Sequence, residues 1–298
     1  MRITKSFAET RSACSGTVGL VPTMGFLHEG HLSLVEAARD HNDTVVMSLF
    51  VNPLQFDRDD DLVRYPRDLE RDAALATAAG ADIVFAPELE EMYPAEQLTR
   101  VNVSALSDEL EGPNRPGHFE GVATVVAKLF SGIRSDRAYF GRKDAQQLAI
   151  VKRMAVDLSM PLEVIGVPIV REGDGLALSS RNIFLSAAER IAALALSRGL
   201  MLAADAVAAG ERDAKVITNA VYGEIGDDLN VEYVTLAGQD DVRPMFTLDR
   251  PAFLALAAWS GNTRLIDNVH FDAAGGGYVA DRGTSLSTPS VLYATGEG

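Results

Sequence analysis

The chain has 298 residues, 47% of them hydrophobic, which is enough to bury the cores of one large or two ordinary domains and excludes wholesale disorder. With 27 Lys and Arg against 42 Asp and Glu, a formal net charge of −15 and no dense basic run, it lacks the electrostatic footprint of a nucleic-acid or anionic-membrane binder. A single cysteine, Cys14, excludes an internal disulfide and a cysteine-cluster metal site, and the opening MRITKSFAETRSACS has no secretory apolar run, so a reducing, cytoplasmic setting is expected.

In chain order, runs rich in Val and Ile bounded by Gly, Pro or Asp read as strands at 18–23 (VGLVPT), 44–51 (TVVMSLFV), 81–87 (ADIVFAP) and 161–170 (PLEVIGVPIV). Helical patterns fall near 31–41, 68–79, 121–133 and 144–158; in the last, Leu148, Val151, Ala155 and Leu158 recur at helical spacing. This alternation predicts an α/β fold, a Rossmann-like doubly wound parallel sheet, over 1–175. Helices at 186–209 and 213–226 follow, then strands at 229–237, 252–260 and 263–271, with Gly261-Asn262 as a hairpin turn; they predict a smaller C-terminal α+β lid domain over 176–271. Residues 272–298, with GGG and many Ser and Thr, read as a disordered tail, and the acidic run at 57–61 as a solvated loop. The apolar region 191–209 is broken by Arg198 and Asp205 and does not read as a membrane span.

Four segments carry candidate chemistry. PTMGFLHEGH at 22–31 joins a predicted strand to a predicted helix, where unpaired N–H groups and the helix dipole favour phosphate and His28 and His31 lie three apart. Neither a Walker loop nor a dinucleotide fingerprint is present, and the zinc-protease spacing of four does not fit. SLFVNPLQF at 48–56 places Asn52 and Gln55 at the next strand end, though Asn-Pro is also an ordinary turn signal. YFGRKDAQQ at 139–147 offers Lys143 to phosphate; Asp144 and Gln147 fit a helix cap and its partner as well as ligand contacts. VREGDGLALSSRN at 170–182 presents Ser179, Ser180 and Arg181 to a polyphosphate after a loop containing Gly173 and Gly175, with Ser186 the better helix cap.

HEGH and LSSRN resemble the paired HIGH and KMSKS motifs of the adenylate-forming nucleotidyltransferases. With VPTMGFLHEGHL, SLFVNPLQF, RPGHFEGVATVV, YFGRKDAQQL, PIVREGDGLALSSRN and RLIDN in order over about 18–270, the chain resembles the pantothenate synthetase family. That resemblance implies condensation of pantoate with β-alanine, using ATP and Mg²⁺, through a pantoyl-adenylate in a homodimer formed through the first domain. It implies ATP contacts at Met24, Gly25, Phe26, Leu27, His28, Glu29, Gly30, His31, Gly141, Arg142, Lys143, Asp144, Val170, Leu178, Ser179, Ser180 and Arg181. His31, His28 and Lys143 would be catalytic; Gln55 and Gln147 would bind pantoate, and Gln55 also β-alanine. Asn52, Arg115 and His118 would line the cleft.

The family pattern is broken at Arg142, where an acid is usual, at Ala145 for tyrosine, at Leu178 for methionine and at Gly173 for proline. Asp72 stands in YPRDLERDAALA without a full acidic cluster, which leaves any protein-held magnesium site open. Three rival readings share parts of these motifs. A nucleotidyltransferase acting on a phosphorylated substrate needs no amine site, an RNA-charging synthetase conflicts with the acidic charge, and a nucleotide sensor needs no turnover.

Overall fold

The computed structural model describes residues 1–56, 62–63 and 65–293; the acidic run at 57–61 lies outside the described residues. The chain divides into two compact units, each made of more than one stretch of sequence. The first comprises Met1–Leu27, His31–Gly141 and Gln146–Val167, and the second His28–Gly30, Arg142–Ala145 and Pro168–Gly298. The sequence reading places one boundary near 175.

The first unit is built on six parallel strands: β1 (Arg2–Thr4), β2 (Val18–Thr23), β3 (Thr44–Leu49), β4 (Ile83–Phe85), β5 (Arg137–Gly141) and β6 (Glu163–Val167). Their order is β1-β4-β3-β2-β5-β6. The crossovers carry α1 (Phe7–Ala13), α2 (Glu29–Arg39), α3 (Leu69–Ala79), α4 (Leu89–Met92), α5 (His118–Ile133) and α6 (Ala145–Asp157). Val18–Val21 and Thr44–Ser48 are buried without alternation, as parallel strands covered on both faces must be. Val21, Leu27, Val35, Val45, Met47, Val84 and Tyr139 form the core that results.

Strand order reverses between β2 and β5. The ladder joining β2 to β3 runs as far as Thr23 and Leu49, whereas β2 pairs β5 only at Gly19 with Arg137 and Leu20 with Ala138. Beyond those two pairs the carboxyl ends of β2 and β5 are not laddered to each other, and such a switch point is where open α/β sheets bind ligands.

The expected strand at 161–170 is two strands. Pro168 has no N–H to donate, and the ladder stops at Val167 before β7 (Val170–Arg171) begins. Neither β1 nor α1 was expected, being too short to show a period.

The second unit holds α7 (Ala187–Ala208), α8 (Ala214–Tyr222), β8 (Leu229–Gly238), β9 (Ala252–Ser260), β10 (Thr263–Ala274), β11 (Gly277–Asp281) and β12 (Thr284–Ser285). Ser186 and Glu189 close a capping box at the start of α7. That helix is long and apolar enough to cross a membrane by composition, yet Ala193, Leu196, Leu200, Ala203 and Val207 pack into the unit's core. Beside it lies an antiparallel sheet ordered β11-β10-β9-β8, and β9 meets β10 across Gly261-Asn262, the expected hairpin. The expectation of a disordered tail over 272–298 fails for the described part. β10 continues to Ala274, β11 pairs with it through Tyr278–Asp281, and β12 pairs with β7 in parallel. Register pairing orders the GGG stretch as a hairpin turn, with Ala274 facing Gly277.

Candidate active site

In the first unit, β2 and β3 each deliver a segment from their carboxyl ends. After β3, Asn52 caps a short 3₁₀ turn, Pro53–Gln55. The Asn52 amide donates to Gln55 Oε1 at 3.1 Å and to the Gly121 carbonyl at 3.1 Å, and its own oxygen accepts from Tyr93 OH at 2.8 Å. Gln55 Nε2 reaches Met24 Sδ, after β2, at 2.8 Å. α5 lies so close over this turn that a Cβ on Gly121 would meet the Leu54 carbonyl oxygen at 2.2 Å, so only glycine fits. His118 Nδ1 donates to the Gln55 carbonyl at 2.8 Å, which fixes the tautomer and leaves Nε2 to accept from Arg115 Nη1 at 3.0 Å. Met24, Asn52, Gln55, His118 and Arg115 are thus one hydrogen-bonded group.

The turn that follows Met24 is held by a residue the sequence reading considered only for metal. Gly25 and Phe26 adopt φ of +90° and +52°. Asp72, on the first turn of α3, accepts the N–H of Phe26 at 2.6 Å and of Leu27 at 2.8 Å. Burial raises the Asp72 carboxyl above its ordinary range despite these two bonds, which lower it. His31 stands half-buried on the first turn of α2.

Gln146 and Gln147 are adjacent and differ in employment. Gln146 is buried and spends its amide on the Leu106 and Glu109 carbonyls and the Glu111 N–H. Gln147 is half-buried, and its amide makes no hydrogen bond to another described residue. Gly141 ends β5.

In the second unit, the Gly30 N–H donates to His28 Nδ1 at 3.1 Å, so a neutral His28 carries its proton on Nε2, a donor suited to a phosphate oxygen. The 3₁₀ turn Arg142–Asp144 is held through its backbone. Asn268 Nδ2 donates to the carbonyls of Arg142 at 3.0 Å and Lys143 at 2.7 Å, and His270 Nε2 donates to the former at 3.2 Å. The RLIDN motif therefore presents Lys143, a role its sequence did not disclose. The Arg142 guanidinium turns to Asp272 and Asp281, at 2.7 and 3.1 Å. Burial would raise the Asp272 carboxyl, but the bonds from Arg142 and Gln239 hold it below its ordinary range. Asp144 is exposed and makes no capping bond among the described residues, so the cap reading is not realised.

Leu178 N–H pairs with the Val170 carbonyl at 2.9 Å, setting the base of the 170–182 segment. The Glu172 N–H closes on the Leu176 carbonyl at 2.8 Å, which makes the Gly173 and Gly175 loop a tight turn. Asn182 donates to Glu172 Oε1 at 2.7 Å. Ser179 caps a 3₁₀ turn over Ser180–Phe184, Ser180 is half-buried and Arg181 is exposed. Among the described residues no three His, Cys, Asp or Glu side chains cluster as a metal cage.

The family model described as pantoate-beta-alanine ligase matches residues 2–270, and 271–298 lies outside that match. The pantothenate synthetase of Moorella thermoacetica is 55% identical over 255 residues, 85% of this chain and 90% of that protein. That of Pelotomaculum thermopropionicum is 52% identical over 266 residues, 89% and 94% of the two chains. The solved pantothenate synthetase of Thermus thermophilus has a TM-score of 0.85 and 47% identity over 90% of this chain and 98% of its own. The ligase of Francisella tularensis, solved with beta-gamma ATP and beta-alanine, has a TM-score of 0.72 and 30% identity over 90% and 97%.

Proposed function

The chain belongs to the pantoate-beta-alanine ligase family, and from that premise we propose that it condenses pantoate with β-alanine at the expense of ATP through a pantoyl-adenylate. The observation that carries the reading is the switch point. The segment bearing Met24–His31 leaves β2, and the segment bearing Lys143 leaves β5, where their ladder has ended.

In the first step a pantoate carboxylate oxygen attacks the α-phosphorus and pyrophosphate leaves with the electrons of the broken P–O bond. Both reactants are anions, so positioning and fixed positive charge carry the step. His28, His31, Lys143, Ser179, Ser180 and Arg181 supply donors and cations in a chain whose net charge is −15. Mg²⁺, implied by the resemblance, would add positive charge on the phosphates. Gln55 and Gln147 offer neutral amides to the pantoate hydroxyls, with Asn52, His118 and Arg115 fixing Gln55. In the second step the neutral amine attacks the acyl carbon and AMP leaves, its proton going to water or a phosphate oxygen. The resemblance also supports a homodimer, the single cysteine supports a reducing, cytoplasmic setting, and the net charge of −15 weighs against nucleic-acid or anionic-membrane partners.

The test is order of product release. Pantoate, ATP and Mg²⁺ alone should give a pyrophosphate burst of about one equivalent per site, then a stall. Adding β-alanine should restart turnover with AMP release. Oxygen-18 from the pantoate carboxylate should appear in that AMP; ADP formation, or AMP without label, would exclude the adenylate.

A further inference from the structure

Past residue 274 the chain does not trail away but returns to two of the motifs already described, entirely within the second unit. β12 lies in parallel beside β7, with the Thr284 N–H bonded to the Ile169 carbonyl at 2.7 Å and the Leu286 N–H to the Arg171 carbonyl at 2.8 Å. The approach requires Gly283. Its φ is +83°, and a Cβ there would stand 2.4 Å from the Ile169 carbonyl oxygen.

Beyond this pairing Ser287, Thr288 and Pro289 are exposed, yet Ser290 is only 4% exposed. Its hydroxyl donates to Glu29 Oε2 at 2.6 Å, and the Val291 N–H donates to Glu29 Oε1 at 2.7 Å. Both carboxylate oxygens of Glu29 are thus engaged by the tail. Three residues from Ser290, the Tyr293 hydroxyl donates to Glu172 Oε1 at 2.9 Å and accepts from Arg190 Nη1 at 2.9 Å. Burial and the adjacent Glu172 push that phenol up to about 12. Glu172 in turn holds Asn182, the last residue of the ALSSRN run.

Glu29 is the only acid in PTMGFLHEGH and sits between His28 and His31. A carboxylate on the first turn of α2 suits the helix dipole but repels a polyphosphate brought to the same helix start. We propose that residues 283–293 form a strap tying Glu29 to the ALSSRN segment, and that Ser290 is a positioning residue for ATP, holding the Glu29 carboxylate so that its charge does not oppose the phosphates. The proposal rests on the reading of HEGH as nucleotide-binding given above. Without the strap, Glu29 loses two charge-assisted hydrogen bonds and is free to turn toward the nucleotide.

The experiment measures ATP binding by calorimetry, alongside the KM values for ATP and pantoate. It compares the full chain, a chain ending at Pro289, Ser290→Ala and Ser290→Thr, with the truncation repeated in the Glu29→Gln background. Truncation should weaken ATP binding about 10-fold, the loss expected for bonds to a charged group. The KM for pantoate and transfer from pre-formed adenylate should stay within about 2-fold. Ser290→Ala should reproduce part of the loss and Ser290→Thr should recover it. In the Glu29→Gln background, truncation should cost less than about 2-fold, since no charge is left to restrain. Equal ATP affinity with and without the strap overturns the proposal, as does the same loss in both backgrounds, or a uniform fall in every parameter with a lower melting temperature. A full chain that binds ATP without making pantothenate defeats the ligase reading instead, while the strap is still read from affinity; a full chain that binds no ATP defeats both.

Discussion

The carboxylate of Asp72 accepts the backbone N–H of Phe26 at 2.6 Å, and Phe26 is held at a φ of +52°. A non-glycine residue in that region costs about 1–3 kcal/mol and persists only where its surroundings over-determine it. Asp72 does so with both oxygens, and Arg71 assists, donating to the Leu27 carbonyl at 3.0 Å with its guanidinium 5.1 Å from the Phe26 ring centre.

Asp72→Ala removes both acceptors and leaves two N–H groups unpaired. A destabilisation of about 1–3 kcal/mol in urea denaturation is expected, together with slower pyrophosphate release. Asp72→Asn should be milder, because it keeps one acceptor. A denaturation midpoint unchanged in both variants would show that the turn is held by other contacts.

The glutamine pair separates structure from binding. Gln146→Ala strips partners from two carbonyls and one N–H, so the melting temperature should fall with about 1–3 kcal/mol of stability. Gln147→Ala should leave the melting curve in place and raise the KM for pantoate by roughly 10-fold, leaving ATP binding intact. Calorimetry showing unchanged pantoate affinity in the Gln147 variant would remove it from the site.

The difference between those two glutamines was not legible in the sequence, where QQ gives no hint of which amide is spent. What could be read were features with a period or a fixed chemistry. The buried runs of β2 and β3, the Ser186 helix cap and the Gly261-Asn262 turn all appear where local physics put them. Long-range partners were invisible. Asp72 meets Phe26 across 46 positions, and Asn268 meets Lys143 across 125. The tail was misread because GGG and scattered Ser and Thr carry no hydrophobic period. Its order comes from backbone pairing with β10 and β7, which composition does not encode.

Arg171 and Asp267 form a two-bond ion pair at 2.7 and 3.0 Å, each side chain 4% exposed. Removing one partner strands a buried charge. Asp267→Ala should therefore cost about 3–5 kcal/mol, and Asp267→Asn less because it keeps an acceptor. Denaturation curves of the two variants check the order; equal, small losses would mean that water reaches the guanidinium.

His270 carries the clearest pH dependence. Burial, helped by the nearby Arg142 charge, depresses its pKa from the ordinary 6.5 to about 4. The unfolded chain binds a proton there between those values and the folded chain does not. Its contribution is therefore fully present above pH 6.5 and is lost as pH falls toward 4. The gap corresponds to roughly 3 kcal/mol. Denaturation across that range should show the loss in the native chain and a flatter profile in His270→Gln. Parallel profiles would place the acid sensitivity elsewhere.

Lys143 and Asn268 test how the charge for ATP is delivered. In the proposed reading Lys143 supplies the cation, and Asn268 grips the carbonyls of Arg142 and Lys143 without touching the ammonium group. Lys143→Ala should weaken ATP binding and slow pyrophosphate release about 100-fold or more, the scale for losing one preorganised group. Transfer from pre-formed pantoyl-adenylate to β-alanine should suffer far less, since the polyphosphate has already gone. Asn268→Ala keeps the charge and loosens its mount, so it should lower kcat for the first half-reaction more than it weakens ATP binding. Asn268→Asp keeps an acceptor but loses both donations, so it should resemble alanine and show no rescue. Equal damage to both half-reactions by Lys143→Ala would assign the lysine to transfer or folding, and full activity in Asn268→Ala would show that the turn holds its shape without the RLIDN motif.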